Sequence, residues 1–190
     1  MKNFKRTMQL VAVFLFIGAI QLSAQTYKYQ KIVGFTDATN AKLEAFLQST
    51  ISMNIRKVAV FDCDGTLFGQ VPYYLAEEAL YEYARRNYAG KKDAKSVEKF
   101  KLVDKMIKED AISRERDRIK FLSGLTPEEV QRIGDDCFHE KYQNKFYPQM
   151  KALLTNLRNY GFETWVISAS PELLYQRFCV EELGFQEDRV

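Results

Sequence analysis

The run Lys57-Val-Ala-Val-Phe-Asp62-Cys-Asp64-Gly-Thr66-Leu-Phe constrains this chain more than any other stretch. Val58 to Phe61 is apolar and β-branched, long enough for one buried strand. It stops on two aspartates one residue apart. Open α/β sheets bind their ligands at the carboxyl ends of such strands. Side chains i and i+2 of a strand point the same way, so Asp62 and Asp64 face one crevice. Two close carboxylates repel each other, and a divalent cation relieves that repulsion. Hard oxygen ligands with few other demands suit Mg²⁺. Gly65 supplies a positive φ to the turn that follows, as it would in a merely structural acidic turn. Cys63 lies between the aspartates and is expected to point away from them, into the core.

A second short buried strand is expected over Phe162 to Ile167, ending in Ser168-Ala169-Ser170-Pro171. A helix from Glu172 to Leu183 is expected next, with Gly184 after it. A hydroxyl and free backbone N–H groups at a strand end, just before a helix amino terminus, form an anion site. Everything between the two strands reads as helix. Pro72 opens Tyr73 to Asn87, and Ser96 to Lys108 repeats Phe100, Val103 and Ile107 at helical spacing. Ile112 to Leu122 carries charges of alternating sign and is expected to be largely solvated. Thr126-Pro-Glu-Glu129 is a capping box with proline at the first helical position, so Thr126 to Tyr142 is the best-marked helix. Before the first strand, residues 25–36 read as a loosely held lead-in, and Asp37 to Leu47 as a helix with Leu43, Phe46 and Leu47 on one face. Pro148 opens a helix over Gln149 to Tyr160, closed by Gly161.

The amino terminus is a separate matter. Lys2, Lys5 and Arg6 precede an apolar run from Leu10 to Ile20, and Ser23-Ala24 follows. This reads as a secretory signal peptide over residues 1–24, with an uncleaved anchor as the other reading. The run is short for a membrane span. Three of the 28 basic residues lie in that segment and none of the 25 acidic ones, so the remainder balances to zero. A neutral chain argues against nucleic acid as a partner, which leaves a basic footprint. The expected location is exported, periplasmic or secreted, with no membrane association after cleavage. Of the three cysteines, Cys137 and Cys179 are a possible disulfide pair, and the odd count leaves at least one thiol over. No Cys/His set suggests zinc, and the single His139 has no partner at metal spacing.

Asp62-Cys63-Asp64-Gly65-Thr66-Leu67 resembles motif I of the haloacid dehalogenase-like hydrolases, a hydrophobic strand followed by D-x-D-G-T-[LV]. Ser168 is similarly placed to the Ser or Thr that ends the second motif strand. The helical insertion between them resembles the subgroup with an all-helical cap, phosphoserine- and phosphocholine-phosphatase-like. The resemblance implies an α/β fold: a Rossmann-like core with a parallel sheet over residues 25–68 and 146–190, and a cap over 69–145. It implies Mg²⁺-dependent hydrolysis of a small phosphorylated metabolite through an aspartyl-phosphate. Asp62 would be the nucleophile, and Asp64 the acid and then the base. Both would serve the metal, Asp64 through its backbone carbonyl. Ser168 and the Ala169 amide would hold phosphate oxygens, and Gly65 and Thr66 would do the same or brace the turn. A second aspartate favours phosphomonoesters over carbon–halogen bonds, because a halide leaving group needs no acid.

The sequence departs from the family pattern in two places. Phosphoserine phosphatases carry a Glu nine residues after the nucleophile, where this chain has Val71, so phosphoserine is not the expected substrate. Tyr73 and Tyr74 are expected to pack within the cap; the other reading turns them toward a cationic or apolar leaving group. No Lys follows Ser168, and Gly134-Asp135-Asp136, which has the look of the family's second acidic motif, precedes Ser168 and reads as a solvated helix face. Arg177 would sit mid-helix. The expected sheet is thus incomplete at its carboxyl-terminal side. The rival readings are a truncated, non-catalytic remnant that binds metal or phosphate, and a phosphotransferase.

Overall fold

A parallel pair of strands carries the two turns singled out above. In the computed structural model, which describes residues 27–69 and 73–190, β1 (Lys57–Phe61) pairs with β2 (Phe162–Val166) in the register Lys57↔Phe162 to Phe61↔Val166. One more bond, from Ile167 N–H to the Phe61 carbonyl (2.8 Å), carries the pairing to the strand ends. The expected signal segment and Val71 lie outside the described residues. Among the described residues no helix is long and apolar enough to cross a membrane.

Four of the described helices start on a side-chain cap. Helix α1 (Asp37–Ser49) starts on Thr36, whose hydroxyl accepts the Thr39 N–H. Helices α3 (Ala94–Met106) and α4 (Ala111–Leu122) start on Asp93 and Asp110 in the same way, and α2 (Leu75–Asn87) precedes them. Helix α5 (Pro127–Cys137) has both halves of its capping box, then widens into one π-helical turn over Phe138–Tyr142. Helix α6 (Pro148–Asn159) leads through Gly161 (φ 80°) into β2. The segment after Ser168 departs from expectation. Glu172–Leu174 is a single 3₁₀ turn, Tyr175 breaks it at φ −117°, and α7 (Gln176–Leu183) starts only there.

Two amides hold what was expected to be a loose lead-in. Buried Asn40 accepts from the Tyr29 hydroxyl (2.7 Å) and the Ile32 N–H (2.8 Å), and donates to the Ile32, Phe35 and Thr36 carbonyls. Asn156, wholly buried on α6, exchanges a pair of bonds with the Gln30 backbone at 2.8 and 2.9 Å. Side-chain amides mimic the donor–acceptor pair of a neighbouring strand, so residues 27–32 are fixed without belonging to the sheet.

One apolar cluster runs from α2–α5 into α7 and the strand ends. At its centre Phe138 stacks on Phe178 (4.4 Å between centroids, 2° between planes), and Phe68 meets Tyr142, Phe146 and Phe178 edge-on. Burying these rings removes a large apolar area from water and fixes their geometry. Three expectations about burial fail. Helix α4 is not largely solvated: Arg118 is buried and pairs with buried Glu77 of α2 at 2.6 Å, and Asp117 is buried between Lys105 and Lys120. Gly134 and Asp135 are buried too, because α5 lies on the backbone of Leu174; only Asp136 is solvated. The sheet is covered on one face. Phe61, Thr164 and Val166 are buried, whereas Val58, Val60 and Ile167 stay exposed and Trp165 is overlaid by the guanidinium groups of Arg56 and Arg189.

Candidate active site

Both turns lie at the carboxyl ends of β1 and β2, side by side. The first closes tightly. Leu67 N–H donates to the Cys63 carbonyl (2.9 Å), and Gly65, at φ 77°, donates its N–H to the Phe68 carbonyl (2.8 Å). The Gly65 amide is therefore used within the turn. Asp62 is exposed, and its Oδ2 accepts the Thr66 hydroxyl at 3.0 Å, so Thr66 braces an exposed carboxylate. Cys63 is fully buried, as its place in the alternation requires.

Asp64 is held from both sides. Its Oδ1 accepts the Leu75 N–H at the start of α2 (3.2 Å), and its Oδ2 accepts the Tyr175 hydroxyl (2.6 Å). The Tyr175 oxygen in turn accepts the Ala76 N–H (2.9 Å). Burial pushes the Asp64 carboxyl above its ordinary value; the hydrogen bonds from Tyr175 and Leu75 oppose this, and the charges of Glu77 and Asp62 add to it. Burial and the adjoining Asp64 charge push the Tyr175 phenol well above its own ordinary value. Desolvation thus favours the protonated acid at Asp64, which is what a proton donor needs.

On the second turn, Ser168 Oγ accepts the Ser170 N–H (3.2 Å), and Ala169 is exposed. The expected α-helix amino terminus is displaced to Gln176, so the N–H groups nearest this turn belong to the turn itself and the 3₁₀ segment. A cleft of about 240 Å³ beside it is lined by Ser168, Ser170, Glu172 and Tyr175. Tyr73 and Tyr74 are partly exposed rather than packed away. Tyr73 meets Tyr81 edge-on at 5.2 Å, and the Tyr74 ring lies 4.0 Å from where a β-carbon on Gly65 would sit. Arg177 turns away from the site and pairs with Asp135. Tyr175 is the residue sequence reasoning missed: it has no motif, and only the helix break aims it at Asp64.

A family model described as haloacid dehalogenase-like hydrolase matches residues 59–188. The chain belongs to this family of hydrolases. Among solved structures it is similar to a phosphoserine phosphohydrolase-like protein from Francisella tularensis subsp. tularensis SCHU S4, at 18% identity and a TM-score of 0.44. The likeness covers 71% of this chain, which spans 56% of that one. A search of curated proteins found no match.

The donor chemistry at the two turns suits Mg²⁺, which takes one or two carboxylates and fills its remaining positions with water and phosphate oxygens. Asp62 offers an exposed carboxylate of that kind. No group of three or more acidic, His or Cys side chains converges to hold a metal among the described residues.

Proposed function

We propose that this hydrolase cleaves phosphomonoesters of small metabolites through an aspartyl-phosphate, with Asp62 as nucleophile. The observation that carries the reading is the pairing of an exposed carboxylate, braced by Thr66, with a second carboxyl two residues on that burial holds toward its protonated form. A nucleophile must be reachable and a general acid must hold a proton; the exposure of Asp62 and the upward push of burial on the Asp64 carboxyl suit those two roles. Asp64 gives its proton to the leaving alkoxide and takes one from the attacking water. Ser168 and the Ala169 amide hold phosphate oxygens, and Gly65 and Thr66 shape the turn around them. The Asp62 carboxylate and the Asp64 backbone carbonyl would hold Mg²⁺, which would supply positive charge against the phosphate. Residues 69–145 act as a cap over this centre, on a core of residues 25–68 and 146–190. Tyr73 and Tyr74 line the approach of the leaving group. The substrate is met in an exported compartment, after loss of residues 1–24.

The test is phosphate release from p-nitrophenyl phosphate and from alkyl phosphates by the purified protein with Mg²⁺, beside Asp62→Asn and an EDTA control. Turnover that needs the metal and falls at least about 10³-fold in Asp62→Asn is the expected result, in line with losses seen for nucleophile removal. Equal rates in Asp62→Asn and the parent would refute the assignment of the nucleophile.

A further inference from the structure

All three cysteines are thiols, and all are buried. Their surroundings differ. Cys137 and Cys179, which the sequence offered as a possible pair, are not bonded; Cys137 lies near Glu78, Glu82 and Lys141. The neighbour of Cys179 is Cys63, with 3.9 Å between the sulfur atoms. One sulfur comes from the turn between Asp62 and Asp64, the other from the middle of α7, and neither has any solvent exposure.

We propose that Cys63 and Cys179 are the site of a disulfide that ties the Asp62–Asp64 turn to α7, and that Cys137 remains a thiol. The sulfurs are already in van der Waals contact, and a bond of ~2.05 Å asks them to approach by about 1.9 Å more. Nothing can lie between atoms at that separation. Rotation about two side chains and a small shift of α7 supply such a movement. The reaction needs an oxidant, here a low-molecular-weight disulfide such as oxidised glutathione. Each cysteine loses its proton, and the pair gives up two electrons as the new S–S bond forms. The glutathione disulfide breaks, takes up the two electrons and two protons, and leaves as two thiols. The exchange passes through a mixed disulfide on one of the two cysteines. Because both sulfurs are sealed in the core, that intermediate forms while the chain is folding or open. The folded thiol form therefore resists oxidation, and native proximity selects the pair. The link would span 116 positions, and long loops constrain the unfolded chain most in the chain-entropy account.

The test refolds the reduced, denatured full chain in a glutathione redox buffer and, in parallel, in dithiothreitol. Remaining thiols are alkylated, and tryptic peptides are mapped without reduction. The three cysteines fall in separate peptides, residues 58–85, 133–141 and 178–189. The expected product joins 58–85 to 178–189 with Cys137 alkylated, and melts several degrees above the dithiothreitol sample. Cys137→Ser should keep both the link and the higher melting point. Cys63→Ala and Cys179→Ala should each abolish the difference between the two buffers. Three alkylated cysteines, a link to Cys137, or bonds found only between chains would each overturn the proposal. The readout is independent of catalysis, so a failure here and a failure of the phosphatase reading are separable.

Discussion

Replacing Gly134 by alanine inserts a methyl group where α5 meets the backbone of the segment that follows β2. A β-carbon built on Gly134 lies 2.1 Å from the Leu174 carbonyl oxygen and 2.7 Å from its carbonyl carbon and Cα. Carbon atoms pack best at about 3.5–4.0 Å, so the two elements must separate by roughly 1 Å or more. Overpacking of this kind costs about 1–3 kcal/mol and occasionally more. In an open helix the same change would gain about 1 kcal/mol from helix propensity. The contact is with main chain, which cannot rotate aside, and a net loss near 2 kcal/mol is expected, the upper part of the overpacking range less the propensity gain. For a chain of this size that lowers the melting temperature by about 4–8 °C. The strain also falls beside Tyr175, so amide exchange at Leu75 and Ala76 should quicken. The assay is urea and thermal unfolding of Gly134→Ala beside Asp136→Ala, a solvated position expected to stay within about 0.5 kcal/mol of the parent. A Gly134→Ala chain as stable as the parent would refute the contact. So would rescue by Leu174→Ala, because removing a side chain cannot relieve a clash with backbone.

Asn40→Ala should cost at least about 2 kcal/mol in unfolding experiments, since it strands the buried Ile32 backbone groups and unpaired buried groups cost about 1–3 kcal/mol each. Glu77→Ala removes the buried carboxylate shared by Arg118 and Arg114 and leaves buried Arg118 only Glu115; breaking a buried pair costs about 3–5 kcal/mol, and with Glu115 still in place a loss at the low end of that range is expected, read as a drop in the denaturant midpoint. Asp64→Asn should lose alkyl-phosphate turnover yet stabilise the metal-free protein. The folded-state pKa of Asp64 is raised above its unfolded value, so the ionised form is penalised by folding. That penalty is full above the folded pKa and vanishes as pH falls below the unfolded value near 3.9. The melting-temperature gain of Asp64→Asn in EDTA should therefore be largest at neutral to alkaline pH and shrink on acidification; a gain that grew toward acid pH would contradict the assignment.

The elements with chemical punctuation were legible in the sequence. Thr126-Pro-Glu-Glu129 starts α5, Gly161 precedes β2, and the Asp62–Thr66 turn ends β1, each because a local group must satisfy a local backbone demand. Burial of polar groups was not legible. Periodicity counts apolar residues, so α4, with Arg118 and Asp117 turned inward onto charges from other helices, has the pattern of a solvated surface. Asn40 and Asn156 look like loop and surface residues until their partners, 8 and 126 positions away, are in place. The apolar run Val58–Val60 predicts two-sided burial, yet cover depends on which elements are laid over the sheet, and only one face has them. At the candidate site, type and spacing single out the two aspartates and Ser168, which lie at the ends of adjoining strands. They do not single out Tyr175, because its role depends on a break between a 3₁₀ turn and α7 that Glu172–Leu183 does not signal.

The bonds around Asp64 also act as an interlock. Its two oxygens are tied, one directly and one through Tyr175, to the first two N–H groups of α2. If α2 swings outward to admit a ligand, the carboxyl loses the Leu75 bond and the Tyr175 hydroxyl loses its Ala76 donor in the same motion. The Asp64 carboxyl would then be unmoored with α2 out and fixed with α2 in. On the role proposed for Asp64, the same three hydrogen bonds would keep ligand entry and proton transfer apart in time.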